Sequence, residues 1–381
     1  MSLVLANGGL VTGDGETVFD EASVIIEDGI IKEVLEGTPR AAAIKDVNVV
    51  DVNGDLIMPG IINGHTHCIT MGPHFAHGAP AKSKPEVIAK LNEHLLQGTT
   101  SILSADGFAT LEEVEEVNRI HPMNIKTTTI HSPLNFKAAD LVDGSGLREE
   151  HRKFTIEKML NLGAVAVGEL REVESGRTDT SFEGIAEGVM FAKQYNVPVI
   201  IHNAAATVEK VLECAREYEG VIAAHSNHFS FQTEEAIDYA KELKKYGATI
   251  DILSGDSFGA KRLVPSPETT FAMLSEGLAD IMTTDYMGGH HDAILLVLQK
   301  AIENGIIDLP YALNLATYKV AQVIPRLAPY RGLIAPGFMA DIIITDHDDI
   351  SKVKTVIIEG RFAVRNGEPT PNFKFGMQEH M

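Results

Sequence analysis

The chain has 381 residues, more than one ordinary compact domain holds and enough for two. Its 32 Lys and Arg residues against 53 Asp and Glu residues give a formal net charge of −21, which argues against a nucleic acid or an anionic membrane as partner and favours a small molecule. The two cysteines, Cys68 and Cys214, form no CxxC pattern, and no apolar stretch is long enough for a signal or a membrane span, so we expect a cytoplasmic protein without a disulfide framework.

The sequence pattern at both ends of the chain is typical of a small β domain. Over residues 1–58, short apolar runs alternate with turn signals such as Asp28-Gly29 and Asn53-Gly54. The same alternation returns after Gly337. The pattern predicts one composite β-sandwich domain formed by residues 1–58 and 333–381, with residues 59–332 as a separate unit.

Residues 59–332 alternate apolar, strand-like runs with helical stretches of about 10 to 15 residues, an order typical of parallel sheets. Ser83 and Pro85 form a helix-start signal before one of these stretches. Eight strands are predicted, with ends near the following residues: His65, Ser104, His131, Glu169, His202, His225, Ser254 and Asp285. Eight such units predict an α/β fold, a (β/α)₈ TIM barrel, in which the C-terminal ends of all the strands meet on one face.

Five of the eight strands end in side chains that are unexpected in a buried parallel strand. The set comprises four imidazoles and two carboxylates: His65, His67, Glu169, His202, His225 and Asp285. His65 and His67 are two positions apart, so their side chains point to the same side of a strand. Singly, such residues have structural alternatives, since a buried histidine is usually a core residue and Glu169 could pair with Arg171. Gathered on one barrel face, they predict a metal site.

Six donors exceed what one divalent ion takes in a hydrolytic site, so we predict two ions that activate water for hydrolysis. We expect the ligands to divide as follows: His65, His67 and Asp285 on one ion, His202 and His225 on the other, and Glu169 with a hydroxide between them. Asp285 would also accept a proton from the water, as the catalytic base. Zinc is the first choice for these donors, with iron or manganese as alternatives.

The chain resembles the amidohydrolase superfamily over essentially its whole length. The motifs that carry the resemblance are the Asp28-Gly29-Ile30-Ile31 turn, the segment PGIINGHTH at 59–67 and the segment GLIAPGFMAD at 332–341. Glu169 stands where dihydroorotases and hydantoinases carry a carboxylated lysine that bridges the metals. A glutamate at this position makes the chain similar to enamidase and, more distantly, to adenine deaminase. The resemblance implies that the six residues are metal ligands, that Asp285 is the general acid and base, that an iron and zinc pair suits the site, and that the chain forms a homo-oligomer.

Three classes of function are consistent with these observations. The first is hydrolysis of a C–N bond in a cyclic amide or enamide, as in enamidase. The second is an aminohydrolase that deaminates an amino-substituted heterocycle such as a purine, and the third is a non-catalytic metal-binding barrel. His131 and His228 are expected to touch the substrate because they lie at or just after strand ends. Arg171 would hold a substrate carboxylate, with pairing to Glu172 as its structural alternative.

Overall fold

The two ends of the chain contribute strands to one sheet, and the middle of the chain alternates parallel strands with helices. The computed structural model describes residues 2–37, 48–71, 82–105, 111–129, 155–170, 182–254, 267–287 and 292–370. His131 and Arg171, two of the sequence-predicted site residues, lie outside these ranges.

Eighteen strands and ten helices are found in the described ranges. The strands of the N-terminal part are β1 (Ser2–Val11), β2 (Val18–Glu27), β3 (Ile30–Glu36), β4 (Asn48–Asp51) and β5 (Leu56–Pro59). Those of the middle are β6 (Ile61–His67), β7 (Thr99–Ser104), β8 (Asn124–Thr127), β9 (Val167–Leu170), β10 (Val199–His202), β11 (Val221–Ala224), β12 (Thr249–Leu253), β13 (Ile281–Thr283) and β14 (Tyr286–Met287). Those of the C-terminal part are β15 (Ile342–Thr345), β16 (Val353–Ile358), β17 (Arg361–Arg365) and β18 (Glu368–Pro369). The helices are α1 (Lys84–Leu96), α2 (Leu111–Asn118), α3 (Ile156–Leu162), α4 (Phe182–Tyr195), α5 (Val208–Glu217), α6 (Thr233–Lys245), α7 (Pro267–Ser275), α8 (Ile294–Glu303), α9 (Leu309–Leu315) and α10 (Tyr318–Val323).

The β-sandwich domain draws on both ends of the chain. Its strands follow the order β18-β17-β16-β15-β5-β1-β2-β3, and β4 pairs with β1. The two ends join where β15 runs antiparallel to β5, with Ile342 opposite Pro59. The strands enclose an apolar core of their own, which includes Leu5, Ile26 and Ile357. A hydrophobic core that combines N-terminal and C-terminal strands is therefore the composite domain expected from the sequence.

Eight parallel strands, β6 to β13, form the TIM barrel. They pair in chain order within two groups, β6 to β8 and β9 to β13. Backbone hydrogen bonds join the two groups, from Thr129 N to Ala166 O at 3.1 Å and from Val165 N to Thr127 O at 3.1 Å. On the other side, the N–H of Asp285 donates to the carbonyl of His65 at 3.0 Å, and β14 pairs with β6. The C-terminal strand ends therefore surround one opening.

The local sequence explains where these elements begin and what they contain. The strands β10 and β11 consist of Val, Ile and Ala apart from one terminal His, because strands and helices cover both of their faces. Helix α1 begins as predicted: the N–H of Ser83 donates to Glu86 at 2.8 Å in a capping box, and Pro85 lies in the first turn, where its missing N–H costs nothing. Among the helices described, none has both the length and the apolar character needed to cross a membrane.

Candidate metal centre

The strand β6 brings two histidines to the barrel opening. His65 and His67 are each 1% exposed and lie on the same side of the strand. Their Nε2 atoms are 3.2 Å apart. Two lone-pair nitrogens at this separation can share one cation, which places the first half of a binding site at the end of the first barrel strand.

Glu169 lies between two groups of histidines. Its carboxylate is on β9, and Oε1 lies 2.9 Å from Nδ1 of His202 and 3.0 Å from Nε2 of His225. The other oxygen, Oε2, lies 3.3 Å from Nε2 of His67 and 3.8 Å from Nε2 of His65. Each carboxylate oxygen therefore faces a different pair of imidazoles, which is the arrangement that a bridging carboxylate needs.

Asp285 completes the first group from the end of β13. Its Oδ1 lies 3.2 Å from Nε2 of His67 and 3.7 Å from Nε2 of His65. Its backbone φ is 46°, and that of His225 is 37°. A residue other than glycine in this left-handed region costs about 1–2 kcal/mol, and strained backbone of this kind is concentrated at functional sites.

The six sequence-predicted donors form two groups that share Glu169. The donor atoms of His65, His67, Glu169 and Asp285 lie within 4.8 Å of one another, as do those of Glu169, His202 and His225. Buried carboxylates and imidazoles need cations or protons between them, because burial of an uncompensated charge is costly. The donor set, four imidazoles and two carboxylates, therefore fits two divalent ions.

The electrostatics of the cluster favour ionised carboxylates. Burial raises the pKa of Glu169, but hydrogen bonds from His202, His225, His65 and His67 oppose it and hold the pKa well below its usual range. Burial likewise raises the pKa of Asp285, and the hydrogen bond from His67 and nearby imidazole charges bring it below its usual value. For His65, burial lowers the pKa, whereas the Asp251 and Glu169 carboxylates raise it to about 10. The cluster attracts positive charge, whether carried by protons or by metal ions.

His228 lies beside the second group. Its ring centroid is 5.4 Å from that of His202 and 5.2 Å from that of His225. Nδ1 accepts the backbone N–H of Ser230 at 3.2 Å, so in the neutral ring the hydrogen is on Nε2. Burial, followed by the charges of His225 and His202, lowers the pKa of His228 to about 3. The imidazole is therefore a neutral hydrogen-bond donor at physiological pH.

One residue of the site was missed by sequence reasoning. Asp251 lies in the middle of β12, is 1% exposed, and has Oδ2 3.5 Å from Nδ1 of His65. The available signal was the carboxylate in the run Thr249–Leu253, because an ionisable group in an otherwise apolar barrel strand is as anomalous as one at its end.

Comparison with known proteins identifies the family to which this chain belongs. Residues 56–363 match the model of the amidohydrolase family. An adenine deaminase of Staphylothermus marinus is 26% identical over 385 residues, which cover 97% of this chain and 59% of that protein. A dihydroorotase of Trichlorobacter lovleyi is 22% identical and covers 90% of this chain and 89% of that protein. An imidazolonepropionase of Bacillus cytotoxicus is 22% identical and covers 92% of this chain and 91% of that protein. This chain thus spans about three fifths of the length of the adenine deaminase.

Solved structures share the fold. The β-aspartyl dipeptidase of Fervidobacterium islandicum AW-1, in complex with a β-Asp-Leu dipeptide, has a TM-score of 0.72 at 18% identity and covers 97% of this chain and 98% of that chain. A D-hydantoinase of Thermus sp. has a TM-score of 0.65 at 15% identity and covers 97% of this chain and 96% of that chain. The family match includes all of the barrel strands, β6 to β13, and extends into the terminal sheet. This chain therefore belongs to the amidohydrolase family of metal-dependent hydrolases, which act on carbon–nitrogen bonds.

Proposed function

We propose that this protein hydrolyses a C–N bond of a cyclic amide or enamide with the help of two divalent metal ions. The observation that carries the proposal is the position of Glu169, whose two carboxylate oxygens face separate imidazole groups at 2.9 to 3.3 Å. One ion would not need a carboxylate shared in this way, because three or four ligands complete a single hydrolytic site.

The ligands would divide between the ions as the two groups do. His65, His67 and Asp285 would hold one ion, His202 and His225 the other, and Glu169 both. When bound, two such ions lower the pKa of water and polarise the carbon that is attacked. Zinc suits the donors best, and an iron and zinc pair or manganese also suits them.

We propose that Asp285 moves the proton of the reaction. Its side chain is 18% exposed, whereas those of His65 and His67 are almost fully buried, so it lies at the boundary between the ligand cluster and the barrel opening. Its lowered pKa keeps the carboxylate ionised, which is the form that can accept a proton from water. We propose that it then passes this proton to the leaving nitrogen, which completes the cleavage of the C–N bond.

Recognition of the substrate would involve His228. A neutral imidazole with its hydrogen on Nε2 can donate to the oxygen that gains negative charge when a carbonyl is attacked. Phe229 follows it, with its ring centroid 4.1 Å from that of His228 and 60% of its surface exposed. An exposed aromatic ring there offers a flat apolar surface to a planar ring. His131 and Arg171 stay sequence-based candidates for the same role.

The relatives support a cyclic amide as the substrate class. Two of them are named dihydroorotase and imidazolonepropionase, and both match about nine tenths of this chain. The more specific proposal, that the substrate is an enamide, depends on Glu169 alone. It follows from the resemblance to enamidase of a chain in which a glutamate bridges the two metals. On family grounds we also propose a homo-oligomer, which light scattering coupled to size-exclusion chromatography would measure.

The second candidate is an aminohydrolase, and a specific observation favours it. The adenine deaminase relative is 26% identical over 97% of this chain. The same attack on an amino-substituted carbon would retain the ring and expel ammonia. The site geometry is compatible with both reactions, because they differ in which C–N bond breaks after water has added.

Two measurements test the proposal together. Elemental analysis of protein purified without chelator should find about two divalent ions per chain. A panel of lactams, imides, aminated purines and pterins, followed by mass spectrometry, should give a product heavier by one water. A retained ring with an amino group replaced by oxygen would support the aminohydrolase instead. Protein that binds no metal and converts no compound would point to the non-catalytic barrel.

A further inference from the structure

Asp251 is a buried carboxylate outside the predicted ligand set. It lies on β12 between Ile250 and Ile252, which are fully buried, and is itself 1% exposed. A carboxylate in such a place is costly unless hydrogen bonds or charges compensate it. The question is what this position gains from an ionisable side chain that an apolar one would not supply.

The contacts of Asp251 extend to three other strands or strand ends. The hydroxyl of Thr283 on β13 donates to the carboxylate, with distances of 2.9 Å to Oδ1 and 3.1 Å to Oδ2. The backbone N–H of His225, directly after β11, donates to Oδ2 at 3.3 Å. On β6, Nδ1 of His65 lies 3.5 Å from the same oxygen. One oxygen thus faces both groups of candidate ligands.

Two of these contacts constrain candidate metal ligands, His65 and His225. An imidazole that binds a metal through one nitrogen is oriented by the acceptor that its other nitrogen faces. In His65, Nε2 faces the other donors of the cluster and Nδ1 faces Asp251. At His225, the backbone has a φ of 37°, and the hydrogen bond to Asp251 helps to hold this strained turn.

We propose that Asp251 is a positioning residue of the metal centre. Its carboxylate keeps Nε2 of His65 directed at the cluster and holds the turn that presents His225, so that both ligand groups form at the correct separation. This inference rests on the proposed two-metal site and adds to it a residue that touches neither metal nor substrate.

The test is a comparison of Asp251→Asn with Thr283→Val in full-length protein. Asparagine keeps the size of the side chain but removes its charge. Thr283→Val removes the hydroxyl donor to the same carboxylate and leaves Asp251 facing His65. Competition with a chromogenic chelator measures zinc affinity, and the melting temperature of the metal-free proteins measures folding.

We expect Asp251→Asn to weaken zinc binding by about 10- to 100-fold, as is usual when a residue that orients a metal ligand is removed. Thr283→Val should weaken it by much less, and the metal-free melting temperatures of the two variants should be similar. Wild-type zinc affinity in Asp251→Asn would overturn the inference, as would equal losses in both variants. Wild-type protein that binds no zinc would overturn the proposed function as well, so the two failures are distinguishable.

Discussion

Nδ1 of His202 lies 2.9 Å from Oε1 of Glu169, so this histidine faces the carboxylate through the nitrogen nearer its backbone. The opposite oxygen of the same carboxylate faces the histidines of β6. Among the residues that the structure describes, Glu169 is therefore the one that belongs to both ligand groups. Its replacement should affect both ions, whereas replacement of any other ligand should affect mainly one.

Glu169→Gln should remove most of the bound metal. Glutamine has one acceptor oxygen and no charge, so it cannot serve two cations, and four imidazoles would be left without their shared counter-charge. We expect the metal content to fall from about two ions per chain to one or fewer, and the activity by more than about 100-fold. Elemental analysis and steady-state kinetics measure these changes.

A matched control is available on α5. Glu213 is an exposed carboxylate whose side chain is 57% accessible, so Glu213→Gln makes the same chemical change away from the site. This control should keep wild-type metal content. Retention of about two ions by Glu169→Gln would contradict the bridging role.

Asp285→Asn separates metal binding from proton transfer. The amide oxygen of asparagine can still act as a ligand, but it cannot take a proton at neutral pH. We expect kcat to fall by about 10²- to 10⁴-fold with KM within a few-fold of wild type. The measurement is a full kinetic comparison on metal-loaded protein. A variant that keeps its metals and its kcat would show that another group moves the proton.

The barrel and its donors could be predicted because five of the strands combine a run of apolar residues with polar side chains that are unexpected at a buried strand end. His202 and His225 end runs of Val, Ile and Ala, and parallel strands bring such ends together wherever they lie in the sequence. The predicted start of α1 agrees with the structure for a similar reason, since a helix cap is a local signal. The domain limits at residues 58/59 and 332/333 stay a prediction.

Other features depend on contacts that the sequence does not contain. The sequence predicts that the third barrel strand ends near His131, whereas β8 ends at Thr127, with one further paired residue at Thr129. The role of Asp251 depends on the carboxylate facing His65 from a strand 186 positions away in sequence.

His228→Phe should impair catalysis and leave the metals in place. Phenylalanine keeps an aromatic ring beside His202 but has no N–H to donate. Loss of one donor to a developing negative charge costs about 100-fold in kcat. Kinetics and metal analysis of the same preparation test this. His228→Gln, which retains a donor, should recover part of the activity, and unchanged kinetics in His228→Phe would exclude the role.

His121 should make the protein less stable in mild acid. It is 5% exposed, Nε2 lies 3.2 Å from the Asn92 amide oxygen, and burial lowers its pKa to about 4. In the unfolded chain the pKa is about 6.5, so the unfolded state binds the extra proton as the pH falls from about 6.5 to about 4, and stability is lost in that window. At about pH 5 this amounts to about 2 kcal/mol relative to about pH 7.

Urea unfolding of wild type and His121→Gln at both pH values isolates this contribution. The variant has no imidazole to titrate, so its stability should change less between the two pH values, whatever its absolute stability. Because both proteins share every other titratable group, the difference between their pH slopes belongs to His121. Equal slopes would show that the pKa of His121 is not lowered in the folded protein.

Metal binding should release protons. The carboxylates of Asp251 and Glu169 raise the pKa of His65 to about 10 in the metal-free cluster, so near neutral pH this ring carries a proton that a metal must displace. Below about pH 6.5 that proton stabilises the metal-free fold fully, and the stabilisation is lost as the pH rises through about 10. Zinc titrations by calorimetry, in buffers with low and high ionisation enthalpies, should differ by the heat of at least about one proton per chain. Identical heats in the two buffers would mean that His65 is already neutral before the metal binds.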